Sequence, residues 1–214
     1  MSRYLIYASW YLIINISCSL SAQDVYKPIN NIEAFKRKLT EMAKATKTIS
    51  CDFVQEKELV ALSEKIISKG RFIFKKENNI RWEYLEPYEY LIIISKDQVY
   101  IRDDKNQKQY DIQSNKMFKE MNRFINGCIQ GDILKDDKDY AIEYFETSDQ
   151  YYVRLVPKAE KMRKMLNELQ IWFDKNDFTI STLKMIESGE DYTKIDFINK
   201  KLNLEIPLEK FSFK

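Results

Sequence analysis

The chain has 214 residues, and its 35 basic and 33 acidic side chains give a net charge of +2, without the basic excess of a nucleic-acid-binding protein. Apolar residues make up 44% and charged residues 32%, which allows one domain with a sizeable core under a charged surface. Histidine is absent, which excludes every catalytic triad or zinc site that needs it, and we expect neither a metal nor a cofactor. The 14 Tyr and 12 Phe favour β-strands.

The first 22 residues have the pattern of a cleaved signal peptide for export. Arg3 supplies the positive charge, an apolar run of about 13 residues follows over 4–16, and small residues lead up to Ala22. An N-terminal membrane anchor is the alternative, but a helix of this length is too short to span about 30 Å of hydrocarbon. We therefore expect a signal peptide over 1–22, and a single soluble domain over 23–214 located in the periplasm.

The three cysteines raise separate questions. Cys18 lies in the leader and would be the attachment site of a lipoprotein, but residues 15–17 match poorly the small residues that lipid attachment requires. Cys51 and Cys128 remain after cleavage, and an oxidising compartment would allow them to form a disulfide. The favoured interpretation is that both are small buried hydrophobic residues, because cysteine is often buried without pairing.

Two amphipathic helices are predicted. After a short extended segment, Asn30 or Asn31 can cap a first helix of about four turns. Its apolar stripe comprises Ile32, Phe35, Leu39, Met42 and Ala43. A second helix is expected over 115–129, with Gly127 and Gly131 at its end. Its stripe comprises Met117, Phe118, Met121, Phe124, Ile125 and Cys128.

Most of the remaining sequence alternates with the period of β-strands, and turn residues separate the strands. The run over 90–94 is apolar on both faces and is expected to be a strand covered on both sides. About eleven strands at hairpin spacing predict one large antiparallel sheet that curls and offers a concave face to the helices. The expected strands cover 49–55, 64–75, 80–86, 90–94, 99–102, 108–112, 140–147, 151–157, 166–173, 179–186 and 191–198.

One predicted hairpin carries the strongest local feature. Phe72 and Phe74 on its first strand point to the same face as Trp82 and Tyr84 on its second. Gly70 lets another side chain or backbone approach this face closely. The residues alone favour an ordinary packed core, and the wall of a cavity for acyl chains is the functional alternative.

A set of residues spread along the chain also has a recognisable order and spacing. After a helix it comprises Phe53, Gln55 and Lys57, then Gly70 and Phe72, the basic pair Lys75 and Lys76, Trp82 and Tyr84, Pro87, Asp97, Asp191 and Tyr192, and Phe211, Ser212 and Phe213. This order resembles the outer-membrane lipoprotein carrier protein (LolA) family over essentially the whole chain after the leader. The resemblance implies an incomplete antiparallel β-barrel with a helical lid over an apolar cavity. It also implies a monomeric periplasmic carrier without enzymatic activity.

The resemblance further implies partners and site residues. The partners are the acyl chains of lipoproteins, an inner-membrane ABC transporter that loads them, and an outer-membrane acceptor. The implied cavity wall comprises Phe53, Ile66, Phe72, Phe74, Ile80, Trp82, Tyr84, Ile92 and Ile94. The implied lid comprises Phe35, Leu39, Met42, Phe124, Ile125 and Cys128. Lys76 stands where the family often has an arginine that holds the lid closed. Lysine lacks the planar guanidinium group with which arginine forms two parallel hydrogen bonds. Two alternatives remain for Lys76, a single bond to a carbonyl or a solvated side chain in the turn.

The sequence leaves three other functions possible. A LolA-like protein that carries another lipid or an aryl-polyene-type pigment is one alternative. A non-catalytic envelope sensor or scaffold is a second, and it would have no large cavity. An exported enzyme with Glu83 and Glu86 as a carboxylate pair is a third, but glutamates on a strand surface are usually only solvated.

Overall fold

The computed structural model describes residues 26–135 and 138–212. The predicted signal peptide over 1–22 lies outside these residues. The described part of the chain forms a single antiparallel sheet of twelve strands with three α-helices. None of the helices found there is long and apolar enough to cross a membrane.

The elements lie close to their predicted positions. The strands are β1 (Lys27–Pro28), β2 (Thr48–Leu59), β3 (Glu64–Lys75), β4 (Asn79–Glu86), β5 (Tyr90–Ser95), β6 (Gln98–Arg102), β7 (Gln107–Asp111), β8 (Tyr140–Glu146), β9 (Gln150–Pro157), β10 (Glu168–Asp174), β11 (Ile180–Ile186) and β12 (Tyr192–Leu202). The helices are α1 (Ile32–Ala45), α2 (Lys116–Gln130) and α3 (Glu160–Arg163), with 3₁₀ turns at Val60–Leu62, Asp132–Lys135 and Leu208–Phe211. The eleven predicted strands correspond to β2 to β12. Strand β1 was not predicted, because two residues contain no alternation to detect.

The sheet is an incomplete barrel. Its strand order is β1-β8-β9-β10-β11-β12-β2-β3-β4-β5-β6-β7, so the pairing of β12 with β2 joins the two halves of the chain. Strands β1 and β7 are the two edges, and the described strands do not close into a complete barrel. The predicted fold class, a mainly β protein with an incomplete antiparallel barrel and covering helices, is confirmed.

Helix α1 begins at an asparagine cap. The Asn31 side-chain oxygen accepts a hydrogen bond from the backbone N–H of Ala34 at 2.9 Å, so Asn31 rather than Asn30 is the cap. Phe35 and Leu39 are buried against the sheet, and the Phe35 ring lies 4.6 Å from the Tyr151 ring, centroid to centroid. This face fixes α1 to β9 and its neighbours.

Helix α2 ends where the chain must turn sharply toward α1. Gly131 has φ +71°, a left-handed conformation that favours glycine after a helix. A Cβ atom there would lie 2.9 Å from Leu39 Cδ2, so the Leu39 side chain would have to shift to admit a larger residue. The predicted positions Met117 and Met121 fall on α2, but their side chains lie outside the described part of the structure.

Strand β5 is covered on both sides, as predicted. Ile92 and Ile94 face the helices, whereas Leu91 and Ile93 face the opposite side of the sheet. The C-terminal segment covers that side through Ile206 and other apolar side chains. This explains why the run over 90–94 shows no alternation.

Candidate functional site

The concave face of the sheet and the two long helices enclose an apolar cavity of about 330 Å³. This volume lies at the lower end of the range for small-molecule sites. One part of the wall comes from β2 to β5, the other part from β10 to β12, which continues the first through the pairing of β12 with β2, and the cover comes from α1 and α2.

The predicted hairpin of β3 and β4 forms much of one wall. Phe53 fills the space above Gly70, where a Cβ atom would lie 2.6 Å from its ring and 2.0 Å from the backbone oxygen of Glu83. The Phe53 ring in turn contacts Trp82 and Tyr84 edge to face, at centroid distances of 5.5 and 5.1 Å. Because Gly70 has no side chain, Phe53 can pack over it and contact Trp82 and Tyr84.

Six of the nine predicted wall residues line the cavity. They are Phe72, Ile80, Trp82, Tyr84, Ile92 and Ile94. Phe53 and Phe74 are buried in the same hydrophobic cluster but do not line the open space. They lie on the same face of the sheet and pack beside the residues that line the open space.

Ile66 lies outside the cavity, contrary to the expectation from the family resemblance. Ile66 is 38% exposed to solvent. Ile66 pairs with Lys57 on β2, but β3 pairs with β4 only from Lys69 onward. Ile66 therefore lies beyond the end of the wall that β3 and β4 form. Alternation places Ile66 on the same face as Phe72 but does not show where the neighbouring strand begins.

The predicted lid residues divide into two groups. Met42 of α1 lines the cavity, as do Phe124, Ile125 and Cys128 of α2. Phe35 and Leu39 lie farther along α1 and are buried in the cluster with β9 and β10. These two residues anchor the helix rather than cover the open space.

The sequence did not assign to a site the part of the wall contributed by β10 to β12 and the turn before β11. It is formed by Phe173, Phe178, Ile180, Leu183, Met185, Ile195 and Phe197. Strand alternation over 179–186 and 191–198 indicated a buried face, but nothing local separates a packed face from a cavity wall.

The turn between β3 and β4 contacts both lid helices. The Lys76 ammonium group donates a hydrogen bond to the backbone oxygen of Lys44, in the last turn of α1. The Asn126 side-chain nitrogen on α2 donates to the Asn78 side-chain oxygen at 2.7 Å. A cation at the C-terminal end of a helix also interacts favourably with the helix dipole. Lys76 therefore makes a single bond to a helix carbonyl, one of the two alternatives expected for a lysine at this position.

Two groups of polar side chains lie in the cavity wall in addition to Thr46. At one, the Lys200 ammonium group lies 2.8 Å from the Thr179 hydroxyl and 3.3 Å from a carboxylate oxygen of Asp177. At the other, the Tyr84 hydroxyl donates to the Gln55 side-chain oxygen at 3.0 Å. Burial raises the pKa of Tyr84 to about 12, so its phenol stays protonated near neutral pH.

Both described cysteines are free and line the cavity. Burial raises the pKa of Cys51 and that of Cys128 to about 12, which keeps both thiols protonated and unreactive. The favoured interpretation, two buried unpaired cysteines, agrees with this placement. The described residues contain no group of side chains arranged to hold a metal ion.

The two glutamates considered as a catalytic pair lie in separate ion pairs. Glu83 binds Arg81 at 2.7 Å, and Glu86 lies 2.9 Å from the Lys69 ammonium group. Arg81 also donates to the backbone oxygen of Lys210 in the C-terminal segment, on the side of the sheet away from the helices. Neither carboxylate lines the apolar cavity.

These features define a class of protein, a half-open antiparallel barrel whose concave face and two helices surround an apolar cavity. The family model described as outer membrane lipoprotein carrier protein LolA matches residues 44–214. The chain therefore belongs to the LolA family, and the resemblance predicted from its sequence is confirmed.

Several solved structures have a similar fold at low sequence identity. The Pseudomonas aeruginosa MucA/MucB complex matches with a TM-score of 0.51 and 9% identity, covering 85% of this chain and 60% of that chain. An uncharacterised conserved protein from Thermus thermophilus matches with a TM-score of 0.50 and 7% identity, covering 83% and 93%. A LolA superfamily protein from Nitrosomonas europaea has a TM-score of 0.42 and 10% identity, covering 83% and 97%. None of the curated protein sequences matches this chain significantly.

Proposed function

We propose that this protein is a periplasmic carrier that holds acyl chains of lipoproteins in its cavity and delivers them to the outer membrane. The observation that carries the proposal is the apolar cavity of about 330 Å³ under α1 and α2. A scaffold module with the same fold would fill this space with side chains. The proposal assigns no chemical step to the protein, since the cavity lining is apolar apart from a few polar groups.

Acyl chains suit such a cavity energetically. Each methylene group removed from water contributes about 0.8 kcal/mol, so a few buried methylenes give useful affinity. A carrier must also release its cargo, which requires a cover that can move. Helices α1 and α2 provide this cover, because Met42 of α1 and Phe124 of α2 line the cavity together with the concave face of the sheet.

The bond from Lys76 to the Lys44 carbonyl is proposed to hold the lid closed. A Lys76→Met substitution keeps most of the side-chain length but removes the donor. We expect faster release of a bound acyl ligand in stopped-flow measurements, with little change in the fold. Lys105→Met, in the exposed turn after β6, is the matched control and should release ligand at the wild-type rate. Equal rates in both variants would refute the role of Lys76.

Cargo binding can be tested by filling the cavity. Met185 lines the cavity, and Met165 is 76% exposed at the surface, so the same substitution to tryptophan gives a matched pair. If Met185→Trp displaces about two methylenes of an acyl chain, binding should weaken about tenfold. Met165→Trp should bind as wild type. Thermal unfolding of both variants verifies that they are folded.

The identity of the cargo is tested on protein purified from its native periplasm. Mass spectrometry of organic extracts should detect a lipoprotein or its acylated fragment, and wild-type protein should transfer it to outer-membrane fractions. The proposed partners in this transfer are an inner-membrane ABC transporter and an outer-membrane acceptor, with the carrier acting as a monomer. Recovery of a free lipid or a pigment would identify the alternative carrier. Protein without bound lipid or transfer activity would refute the carrier function and favour a partner-binding module.

A further inference from the structure

A polar pair lies in an otherwise apolar stretch of the cavity wall. Gln55 follows Ile49 and Cys51 on the same face of β2, and all three line the cavity. The Tyr84 hydroxyl donates to the Gln55 side-chain oxygen at 3.0 Å. A glutamine in a hydrocarbon-binding wall has a desolvation cost unless something uses its hydrogen-bonding groups.

The surrounding aromatic residues fix this pair in place. The Phe53 ring lies over Gly70 and contacts the Tyr84 ring edge to face at 5.1 Å. The Trp82 ring, which also contacts Phe53 at 5.5 Å, stacks with the Tyr84 ring at 6.5 Å and an interplanar angle of 19°. These contacts hold the phenol in place, its hydroxyl donates to the Gln55 oxygen, and the Gln55 amide nitrogen is the remaining donor of the pair.

That nitrogen donates to no other described residue, and the buried Trp82 indole N–H has no partner in the described part of the chain either. Other polar groups in the wall are satisfied. The Thr46 hydroxyl donates to a backbone oxygen of α1, and Lys200 is paired with Asp177. The unused donors of the cavity therefore lie together on the wall formed by β2 and β4.

We propose that Gln55 and Tyr84 form a subsite for the carbonyl oxygen of an acyl ester. This inference rests on the proposed carrier function and adds a polar contact to it. The ester oxygen accepts from the Gln55 amide nitrogen, and the hydrocarbon chain continues along Trp82 and Ile80 of the same strand. These positions lie two and four residues from Tyr84, which corresponds to about 7 and 14 Å along a strand.

The test compares two ligands that differ in one oxygen. Methyl laurate carries the ester carbonyl, and methyl dodecyl ether has a methylene in its place. Displacement of a fluorescent fatty-acid probe gives both affinities. Wild-type protein should bind the ester about 2- to 10-fold more tightly, the range expected for one uncharged hydrogen bond.

Variants then assign the preference to its residues. Gln55→Met keeps the side-chain length, removes the donor, and should reduce the ester-to-ether ratio to about one. Tyr84→Phe leaves the aromatic wall intact and should lower the ratio by freeing the amide to rotate. Gln109→Met, an exposed glutamine on β7, is the matched control and should keep the wild-type ratio.

The outcomes separate this subsite from the carrier function. Equal binding of ester and ether by the wild type, or an unchanged ratio in Gln55→Met, would overturn the subsite while leaving an apolar carrier. Binding of neither ligand would overturn both proposals. Dilauroylglyceryl-cysteine and dilauroyl phosphatidylglycerol distinguish a lipoprotein ester from a phospholipid ester. The competitor whose affinity falls in Gln55→Met identifies which kind of ester the subsite binds. If neither competitor loses affinity in this variant, the subsite is contradicted.

Discussion

Gly70→Ala should destabilise the protein strongly although it adds only one methyl group. The Cβ atom would lie 2.0 Å from the backbone oxygen of Glu83 and 2.6 Å from the Phe53 ring. To reach the 3.4 Å of an ordinary contact, the Glu83 oxygen would have to move by about 1.4 Å, the difference between the two distances. That oxygen belongs to β4, so the movement separates two paired strands.

The expected size follows from overpacking, which typically costs about 1–3 kcal/mol, and more where backbone must move. Replacing glycine by alanine recovers about 0.4–1 kcal/mol through the unfolded chain, which is too little to offset the clash. We expect a loss near 3 kcal/mol, which corresponds to about 6–12 °C in Tm for a chain of this size.

Urea unfolding followed by circular dichroism measures this loss. Gly189→Ala is the matched control, because nothing lies within 4 Å of a Cβ atom built at Gly189. Its stability should stay within about 0.5 kcal/mol of wild type. If Gly70→Ala unfolds at the same urea concentration as Gly189→Ala, the close approach of Phe53 and β4 to Gly70 is wrong.

Three further predictions concern the helices and the thiols. Gly127→Ala on α2 should stabilise the protein by about 0.5–1 kcal/mol in urea unfolding, because alanine favours a helix interior more than glycine does. The added methyl group would make only ordinary contacts, so a loss of stability would contradict this packing. Asn31→Ala removes the cap of α1 and should cost about 1 kcal/mol, and a neutral result would show that the bond to Ala34 contributes nothing. At pH 8 a thiol with a pKa of about 12 is only about 10⁻⁴ ionised, so Cys51 and Cys128 should resist maleimide in the folded protein and react in denaturant. Rapid labelling of the native protein would instead indicate a lid that opens widely.

The secondary structure followed closely from local patterns. Helical spacing located α1 and α2, and alternation located most of the eleven longer strands, because these periods are set by backbone geometry. Gly70 was also identified from the sequence, since a glycine inside a strand indicates a close approach. The same information did not show that Phe53 is the residue that approaches, because that contact depends on the pairing of β2 with β3.

Site residues were harder to predict than elements. Ile66 and Phe72 lie on the same face of β3. Ile66 nevertheless lies beyond the end of the cavity wall, because β4 does not extend that far. Phe35 and Leu39 share a helix face with Met42, but only Met42 reaches the open space. Parity assigns a side chain to a face, whereas its position along the element relative to neighbouring elements decides what it contacts.

The sequence by itself determined the elements, the apolar faces of the helices and strands, and the resemblance to a carrier family. These depend on local periodicity and on residue order, both of which can be read without coordinates. The tertiary structure decided whether the concave face is filled by side chains or leaves a cavity under the helices. The pairing of β12 with β2 makes the wall one continuous surface, and the curvature of the sheet together with the covering helices sets the space inside it; no local pattern encodes that curvature.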